Sequence, residues 1–362
     1  MRLSILGGGI GSPAGNCHRA ALSIDRRHEI DSGIFSRNKN KNIASLKEWL
    51  PTCSENFRNI EHLAKRKNID CLSILTPTPE HFKNINDSKN FYKNIICEKA
   101  LCSSLDDAFL IKDSTKTNNL FVIYNYTGYP MVRMARKLII QNEIGNIKEI
   151  HAKMPQSSFL KKTSSISNEK NGPQAWRLRE DFIPNVDLDL GTHLHNIIEY
   201  VTGHDLVSVI GQQKLSSKFK VVETCHYLFK TNKDALGSML HGKSNMKEDN
   251  GLCFEIVGEK GTISWKQIYP EDLEISNILG KKSVTRSNFS DSELTYYERM
   301  KPGHPAGFIE ALANYYNSID NFLRKGLEKD NVFGIDSSLK GLIFFNAANE
   351  SVKSKKWEYI NY

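Results

Sequence analysis

The pair of residues that most suggests proton chemistry is Asp189 and His193, which lie four positions apart. In a helix this spacing places both side chains on one face. A carboxylate beside an imidazole can fix the ring's tautomer and stabilise its charged form, which suits a base working near neutral pH. Taken alone, however, the spacing favours an ordinary pair on a helix surface.

A zinc site is the other possibility in this segment, because His195 follows two positions after His193. Residues two apart diverge by about 200° around a helix, so His193 and His195 cannot converge on one ion. We therefore expect no metal site. Two interpretations of His195 stay open, a second substrate contact and a histidine at the edge of the core.

The N-terminal stretch has the pattern of a nucleotide-binding turn. The apolar run 2–6 stops at Gly7-Gly8-Gly9-Ile10-Gly11, and a helix is predicted to begin near Asn16. In a strand–turn–helix unit, such glycines let backbone N–H groups approach a pyrophosphate at the helix N-terminus. Ser12 stands where G-x-G-x-x-G would place its third glycine, so a version that closes at Gly15 fits better. We expect a dinucleotide here, in contact with Gly7, Gly9, Ile10 and Gly11.

The end of the second predicted strand, 29–35, bears on the choice of dinucleotide. In dinucleotide-binding folds this strand end meets the adenosine ribose, where a carboxylate favours NAD. Here Ser36 and Arg37 offer a hydroxyl and a guanidinium, which suit a 2′-phosphate and favour NADP. The alternative is that Arg37 is a solvated loop residue.

Three further predicted strands, 69–75, 94–97 and 120–125, alternate with helices. This alternation predicts a Rossmann domain, a doubly wound parallel sheet with ligands at the carboxyl ends of its strands. Two of those ends carry further expected cofactor contacts, namely Thr76, Pro77, Glu98 and Lys99. His81 is added to them, although its place just after a helix start also suits structural packing.

Beyond Tyr126 the pattern changes to strand-like runs with few helices between them. We expect a large, mostly antiparallel sheet in an α+β domain, and therefore a dinucleotide-binding domain at 1–126 followed by a second domain at 127–362. A helix is predicted at about 187–202, and the polar segment 157–172 is interpreted as a mobile flap.

Composition limits the partners. The 362 residues are 39% hydrophobic and 25% charged, as in ordinary globular proteins, and no run approaches the ~20 apolar residues that span a bilayer. The net charge of +8 is spread without an arginine stripe, so we expect neither a nucleic-acid nor a membrane partner. Seven scattered cysteines without C-x-x-C, and no signal-peptide core, predict a cytoplasmic protein.

Motifs along nearly the whole chain resemble those of the glucose–fructose oxidoreductase and inositol dehydrogenase (Gfo/Idh/MocA) family. They are the glycine turn at 7–19, Thr76-Pro77-Thr78-Pro79-Glu80-His81, Glu98-Lys99-Ala100-Leu101, Ile144-Gly145, Trp176-Arg177, Asp189-Leu190-Gly191-Thr192-His193, Gly258-Glu259-Lys260-Gly261 and Gly303-His304-Pro305-Ala306-Gly307. The resemblance implies a C-terminal domain that binds a small carbohydrate or polyol and forms a homodimer or homotetramer through its sheet. It also implies NAD(P)-dependent oxidation or reduction of a secondary alcohol on a sugar, polyol or sugar nucleotide.

The same resemblance assigns a catalytic set of Lys99, Asp189 and His193. Removing a hydride from a secondary alcohol requires removing the hydroxyl proton at the same site, a task for His193, with Asp189 in support. The Lys99 ammonium would orient the hydroxyl and stabilise a developing alkoxide. The expected substrate contacts are Lys99, Trp176, Arg177, Asp189, His193 and His304, although Trp176 and Arg177 also suit a domain-interface anchor.

Two departures from the family pattern matter. Ala100 stands where proline usually follows the lysine, and a cis bond before alanine costs ~3 kcal/mol, so the turn is either trans or held by its surroundings. Segment 183–186 lacks the glycines that commonly precede the aspartate, which indicates a reshaped pocket. The Glu98-Lys99-Ala100 departure keeps a second function class open, a dinucleotide-binding sensor or partner subunit without turnover.

Overall fold

A computed structural model describes residues 1–51, 55–160, 173–288 and 299–362. Most of the predicted flap, at 161–172, lies outside the described residues. The chain forms two compact units. The first contains Met1–Tyr124 and Leu312–Leu339, and the second contains the described parts of Asn125–Thr163, Asn171–Ala311 and Lys340–Tyr362.

The first unit is built on a five-stranded parallel sheet. Its strands are β1 (Arg2–Gly7), β2 (Glu29–Ile34), β3 (Cys71–Leu75), β4 (Asn94–Glu98) and β5 (Asn119–Ile123). Its helices are α1 (Pro13–Ile24), α2 (Lys39–Trp49), α3 (Ile60–Leu63), α4 (His81–Ser88) and α5 (Leu105–Ser114). The near-continuous apolar strands are buried, as in sheets covered on both faces.

The strand order β2-β1-β3-β4-β5 confirms the predicted doubly wound fold. The order changes direction between β1 and β3, and open α/β sheets bind ligands outside the carboxyl ends of the strands at such a switch point. Those two strands end at Gly7 and Leu75. The fold therefore places the glycine turn and Thr76 at the edge where a ligand is expected.

The segment Leu312–Leu339 belongs to the first unit, although it lies far along the chain from the boundary that the sequence suggested at residue 126. It pairs with β5, since Val122 N donates to the Phe333 carbonyl at 2.7 Å and Tyr315 Oη donates to the Val122 carbonyl at 2.5 Å. A boundary drawn along the sequence cannot include such a returning segment.

The second unit carries the predicted large sheet, which has nine strands among the described residues. The strands are β6 (Ile147–Pro155), β7 (Leu206–Leu215), β8 (Val222–Thr231), β9 (Leu236–Gly242), β10 (Cys253–Gly258), β11 (Gly261–Lys266), β12 (Leu273–Asn277), β13 (Gly280–Val284) and β14 (Glu358–Tyr359). Their order is β13-β12-β11-β10-β6-β9-β8-β7-β14, and only the β6–β9 pair is parallel. The expectation of a mostly antiparallel sheet is confirmed.

Helices α6 (Pro130–Ile140) and α7 (Thr192–Thr202) pack on one face of this sheet, together with the C-terminal part of α9 (Ile335–Ser354). The remaining long helix, α8 (Phe308–Lys325), belongs mostly to the first unit. Strand β8 alternates buried Cys225, Tyr227 and Phe229 with exposed His226 and Leu228, so one face of the sheet forms the core. In the described part of the chain, no helix is both long and apolar enough to cross a membrane.

Candidate active site

The glycine turn after β1 has the backbone that its sequence predicts. Gly7, Gly8 and Gly11 have φ values of +88°, +68° and +77°, a region that side chains other than glycine rarely adopt. A Cβ on Gly15 would lie 1.8 Å from the Gly8 carbonyl oxygen, so the turn and α1 pack backbone to backbone. Ser12 caps α1 by accepting a hydrogen bond from Gly15 N at 3.2 Å. The turn therefore leads directly into a helix N-terminus, the arrangement that binds a pyrophosphate.

Lys41, which the sequence interpretation did not single out, lies beside this turn. A Cβ built on Gly11 would meet only the Lys41 ammonium, at 3.9 Å, and otherwise open space. The ammonium lies in the first turn of α2, where a cation opposes the helix dipole but reinforces attraction for an anion. The turn is thus open at Gly11 with a cation beside it, which fits a dinucleotide phosphate. A lysine in a first helix turn near the end of β2 was the signal in the sequence.

The backbone amide of Ile10 holds the turn against α2 because it is hydrogen-bonded to a side chain of that helix. Its backbone N–H donates to Ser45 Oγ at 3.0 Å, and Gly9 N donates to the Phe35 carbonyl at 3.2 Å. The end of β2 is held in turn by Asn42, whose Oδ1 accepts from the amides of Phe35 and Ser36 at 2.6 and 3.2 Å. These bonds fix the turn relative to the expected adenosine end of the site.

Ser36 and Arg37 lie at the tip that the sequence assigned to the adenosine ribose. Arg37 is 87% exposed and forms an ion pair with Glu80. An exposed pair of this kind contributes roughly 0–1 kcal/mol, so the guanidinium can exchange Glu80 for a phosphate at little cost. Ser36 Oγ accepts from Asn38 N at 3.2 Å, which keeps the hydroxyl at the tip.

At the end of β3, Thr76 and Pro77 lead into a 3₁₀ turn, Thr78–Glu80, and Asn84 Nδ2 donates to Thr76 Oγ1 at 2.8 Å. His81 is fully buried, with its two ring nitrogens 2.8 Å from the carbonyl oxygens of Thr76 and Ala100. Burial lowers the pKa of His81. The ring therefore joins the loops after β3 and β4, which supports the packing role rather than direct contact with a cofactor.

Lys99 follows the last residue of β4, and the Lys99–Ala100 peptide bond is cis, the second of the two forms that the sequence left open. Beside it, Glu98 Oε1 is 2.7 Å from His18 Nε2, and His18 Nδ1 is 2.7 Å from Tyr316 Oη. Burial alone would raise the pKa of Glu98, but the bond to His18 and the charges of His18 and Lys99 lower it overall. Glu98 is thus an anion held by buried partners directly next to the lysine.

In the second unit, Asp189 and His193 lie where a π-helical turn, Asp187–Gly191, runs into α7. Such turns are rare and are frequently found at functional sites. The predicted helix at about 187–202 is therefore present, but its first turn is wider than the α-helix assumed for the spacing. His193 is 7% exposed, and its ring is nearly perpendicular to the Tyr126 ring, with the centroids 4.7 Å apart.

Asp189 is the centre of a charged cluster. Arg177 donates to its Oδ2 atom, and Lys243 Nζ lies 2.7 Å from the same atom. Lys243 is 3% exposed and Asp189 19% exposed, so this is a largely desolvated pair. Arg177 also stacks over Trp176 at 4.5 Å, within the 3₁₀ turn Ala175–Leu178. The structure therefore brings three predicted site residues, Trp176, Arg177 and Asp189, together with Lys243, which the sequence interpretation missed. His193 follows Asp189 on the same turn and helix.

His304 and His195 have other contacts than the residues of the Asp189 cluster. His304 is exposed, and its carbonyl accepts from the buried Arg286 at 2.6 Å. His195 is 1% exposed and packs against the rings of Phe344 and Phe345. Burial, with a smaller effect of the Lys340 charge, lowers the pKa of His195 to about 3. Of its two interpretations, the core histidine fits.

One group of possible metal ligands is present among the described residues. Asp187, Cys225 and His241 are buried, and one ligand atom of each lies within 4.8 Å of the others. These residues differ from those weighed in the sequence. Asp187 and His241 already contact each other directly, with Oδ1 and Nε2 2.6 Å apart.

Two family models match this chain, one in its N-terminal part and one in its C-terminal part. Residues 1–126 match the family model described as "Oxidoreductase family, NAD-binding Rossmann fold", and residues 132–264 match "GFO/IDH/MocA C-terminal domain". The chain is 23% identical over 339 residues to the glucose-6-phosphate 3-dehydrogenase of Bacillus subtilis, covering 88% of this chain and 89% of that protein. It is 25% identical over 333 residues to the uncharacterised oxidoreductase YfiI of the same organism, covering 87% and 84%.

Among solved structures, an inositol dehydrogenase homologue from Azotobacter vinelandii in complex with NAD⁺ has a TM-score of 0.88 at 22% identity, over 100% of this chain and 97% of that one. An oxidoreductase from Sinorhizobium meliloti has a TM-score of 0.84 at 25% identity, over 99% of both chains. The fold and the two family models agree with the resemblance found in the sequence. The chain belongs to the GFO/IDH/MocA family of NAD-binding oxidoreductases.

Proposed function

We propose that this protein is an NAD(P)-dependent dehydrogenase or reductase that acts on a secondary alcohol or ketone of a sugar, polyol or sugar nucleotide. The observation that carries the proposal is Asp189, held by Arg177 and Lys243 on the same π-helical turn and helix that present His193. A carboxylate, an imidazole and two cations supply acid–base and hydrogen-bonding groups for a hydroxylated ligand. The relatives named glucose-6-phosphate 3-dehydrogenase and levoglucosan dehydrogenase support a carbohydrate substrate.

When bound, the nicotinamide dinucleotide supplies the acceptor or donor of a hydride. The chain's own groups handle the proton: His193 accepts it from the substrate hydroxyl, and Asp189 supports the imidazole. Lys99 orients that hydroxyl and stabilises the negative charge that develops on its oxygen. Tyr126, whose ring is nearly perpendicular to that of His193, restricts rotation of the imidazole. Trp176 and Arg177 contact the substrate beside Asp189, and exposed His304 remains a weaker candidate of the same kind.

We infer that the cofactor is NADP in preference to NAD. Ser36 and the exposed Arg37 give the adenosine end of the site a hydroxyl and a guanidinium, which suit a 2′-phosphate. The remaining expected contacts of the dinucleotide are Gly7, Gly9, Ile10, Gly11, Thr76, Pro77, Glu98 and Lys99. His81 acts behind them through the loops that it joins.

Two broader expectations accompany the proposal. The open face of the second unit's sheet carries exposed apolar side chains such as Leu228 and Leu236, which supports assembly into a homodimer or homotetramer. Six free cysteines among the described residues support a reducing, cytoplasmic location.

The test compares wild type with Lys99→Met, His193→Asn and, as control, Lys83→Met, whose lysine is 76% exposed. NADH and NADPH affinities are titrated by fluorescence. Turnover is followed by nicotinamide absorbance with myo-inositol, glucose 6-phosphate, levoglucosan and xylose. We expect Lys99→Met and His193→Asn to lose turnover. His193→Asn should keep cofactor affinity, Lys99→Met should keep most of it because Lys99 is one of many dinucleotide contacts, and Lys83→Met should keep both turnover and affinity. Binding of a dinucleotide without turnover of any secondary alcohol would point instead to the sensor or partner subunit.

A further inference from the structure

Asp187, two residues before Asp189, carries a carboxylate that is completely buried. Its side chain is 0% exposed, in a turn whose Asp189 side chain is reachable by solvent. Burying a carboxylate costs free energy unless hydrogen-bond donors surround it. The hydrogen-bond partners of Asp187 therefore indicate its role.

The partners come from two adjacent strands of the large sheet. Tyr227 Oη, on β8, donates to Asp187 at 2.9 and 3.1 Å from the two carboxylate oxygens. His241 Nε2, on β9, donates to Oδ1 at 2.6 Å. Burial, with the charge of Asp187, raises the pKa of Tyr227, so the phenol stays protonated as a donor. The Asp187 carboxylate therefore accepts hydrogen bonds from both strands.

The two carboxylates of the π-helical turn are bound by the same strand end. His241 and Lys243 lie two positions apart on one face of β9 and its extension, as strand periodicity requires. They bind Asp187 and Asp189 respectively, at 2.6 and 2.7 Å. The turn is thus attached to the sheet at two points, one buried and one at the candidate active site.

Close packing at Gly191 reinforces this attachment. A Cβ on Gly191, at the end of the turn, would lie 2.6 Å from a ring carbon of Phe345 and 3.1 Å from His241 Nε2. The backbone of the turn therefore lies directly against the imidazole that binds Asp187. A shift of the imidazole or of the carboxylate must move the backbone that leads to His193.

We propose that Asp187 is a positioning residue: its bond to His241 fixes the π-helical turn, and thereby sets the placement of Asp189 and His193. The link to catalysis rests on the function proposed above, whereas the placement itself does not. Asp187 contacts no reacting group in this scheme, and it acts through the backbone of the turn.

Asp187, Cys225 and His241, the group of possible metal ligands described above, do not have the spacing of a zinc site. Zinc bonds to nitrogen and oxygen of 2.0–2.1 Å place tetrahedral ligand atoms about 3.3 Å apart, whereas Asp187 Oδ1 and His241 Nε2 are 2.6 Å apart. That distance is a hydrogen bond. It makes Nε2 the protonated nitrogen, which is consistent with a buried Nδ1 that has no partner among the described residues.

The direct test follows the His193 ring by NMR in the full chain, with histidine labelled at Cε1. The signal is assigned by its loss in His193→Asn, and its titration midpoint is compared in wild type, Asp189→Asn, Asp187→Asn and His241→Gln. We expect Asp187→Asn to move the midpoint by about half a pH unit or more, in the same direction as Asp189→Asn. His241→Gln, which keeps a donor near the Nε2 position, should stay within about 0.2 units of wild type.

Ile263→Ala is the matched control, because Ile263 is fully buried on β11, three strands away from β9. It should lower stability without moving the His193 midpoint. If Asp187→Asn does not fold, Tyr227→Phe removes one donor and keeps the charge, and a smaller shift is expected. Equal midpoints in Asp187→Asn (or Tyr227→Phe), Ile263→Ala and wild type would overturn the proposal, as would one equivalent of zinc in wild type that His241→Gln loses.

Turnover separates this inference from the proposed function. With a substrate that wild type oxidises, Asp187→Asn should lower kcat about 10-fold or more and leave the NADPH dissociation constant unchanged. An unchanged kcat would contradict the positioning role even if the ring titration moved. A moved titration in a protein whose wild type oxidises none of the alcohols leaves the placement supported and the proposed function refuted.

Discussion

Replacing Lys243 by methionine removes a buried cation from Asp189 while keeping most of the side chain's length. The ammonium lies 2.7 Å from Asp189 Oδ2 and is 3% exposed. It also lies 5.4 Å from the centre of the Phe159 ring, a contact that a methionine sulfur can partly replace. The substitution therefore tests the charge more than the packing.

The expected loss follows from the environment of the pair. Removing one member of a fully buried ion pair costs roughly 3–5 kcal/mol, because the other charge is left without a partner. Asp189 is 19% exposed and keeps Arg177, so about 2 kcal/mol is the better figure here. In a folding unit of about 150–250 residues, a loss of about 2 kcal/mol lowers Tm by about 4–8 °C. Loss of the cation also frees Asp189 to move, and kcat/KM should fall about 10-fold.

The matched control is Lys281→Met. Lys281 pairs with Glu274 at 3.3 Å, but the two side chains are 74% and 52% exposed. The same substitution there should cost at most about 0.5 kcal/mol. Both variants are measured by urea denaturation and by thermal melting, followed by steady-state turnover where a substrate is known.

The comparison has a clear refuting result. If Lys243→Met and Lys281→Met lose the same free energy of unfolding, Lys243 is not a desolvated partner of Asp189. The charged cluster of the candidate site would then behave as a surface ion pair and not as a desolvated one.

Three further predictions follow from the same structure. Arg37→Gln should weaken NADPH binding about 10-fold, the loss of one charge-assisted contact, and leave NADH binding nearly unchanged in fluorescence titrations; equal losses for both cofactors would contradict the 2′-phosphate assignment. Gly15→Ala should abolish the thermal shift that NADPH produces, because its Cβ meets the Gly8 carbonyl at 1.8 Å, whereas Gly307→Ala, which meets only a Glu310 oxygen at 3.3 Å, should keep it. Because the pKa of His195 is lowered to about 3 in the folded state, the unfolded state binds more protons below its usual pKa of about 6.5, so stability falls as the pH falls. This histidine should contribute about 2 kcal/mol to the loss between pH 7 and pH 5, and urea denaturation of His195→Leu at both values should show a correspondingly smaller loss.

The predicted fold could be obtained from the sequence because its signals are local. The glycines at 7–11, the alternation of strands and helices up to Ile123 and the change of pattern after Tyr126 each depend on neighbours within a few residues. The i, i+4 spacing of Asp189 and His193 is local as well. The segment Leu312–Leu339 was missed, since its place beside β5 depends on pairing across more than 190 residues.

The chemical context of the candidate site came only from the tertiary structure. Lys243 and His241 meet the π-helical turn because β9 places alternate side chains on one face, and no pattern near residue 189 identifies that strand as its neighbour. The same holds for Lys41 beside Gly11, and for His81, whose ring lies between two carbonyls that belong to different loops. Sequence spacing determines which residues share a face of one element. Strand register and the packing of helices on the sheet decide which charges are desolvated and paired, and those long-range contacts decide how the side chains can act.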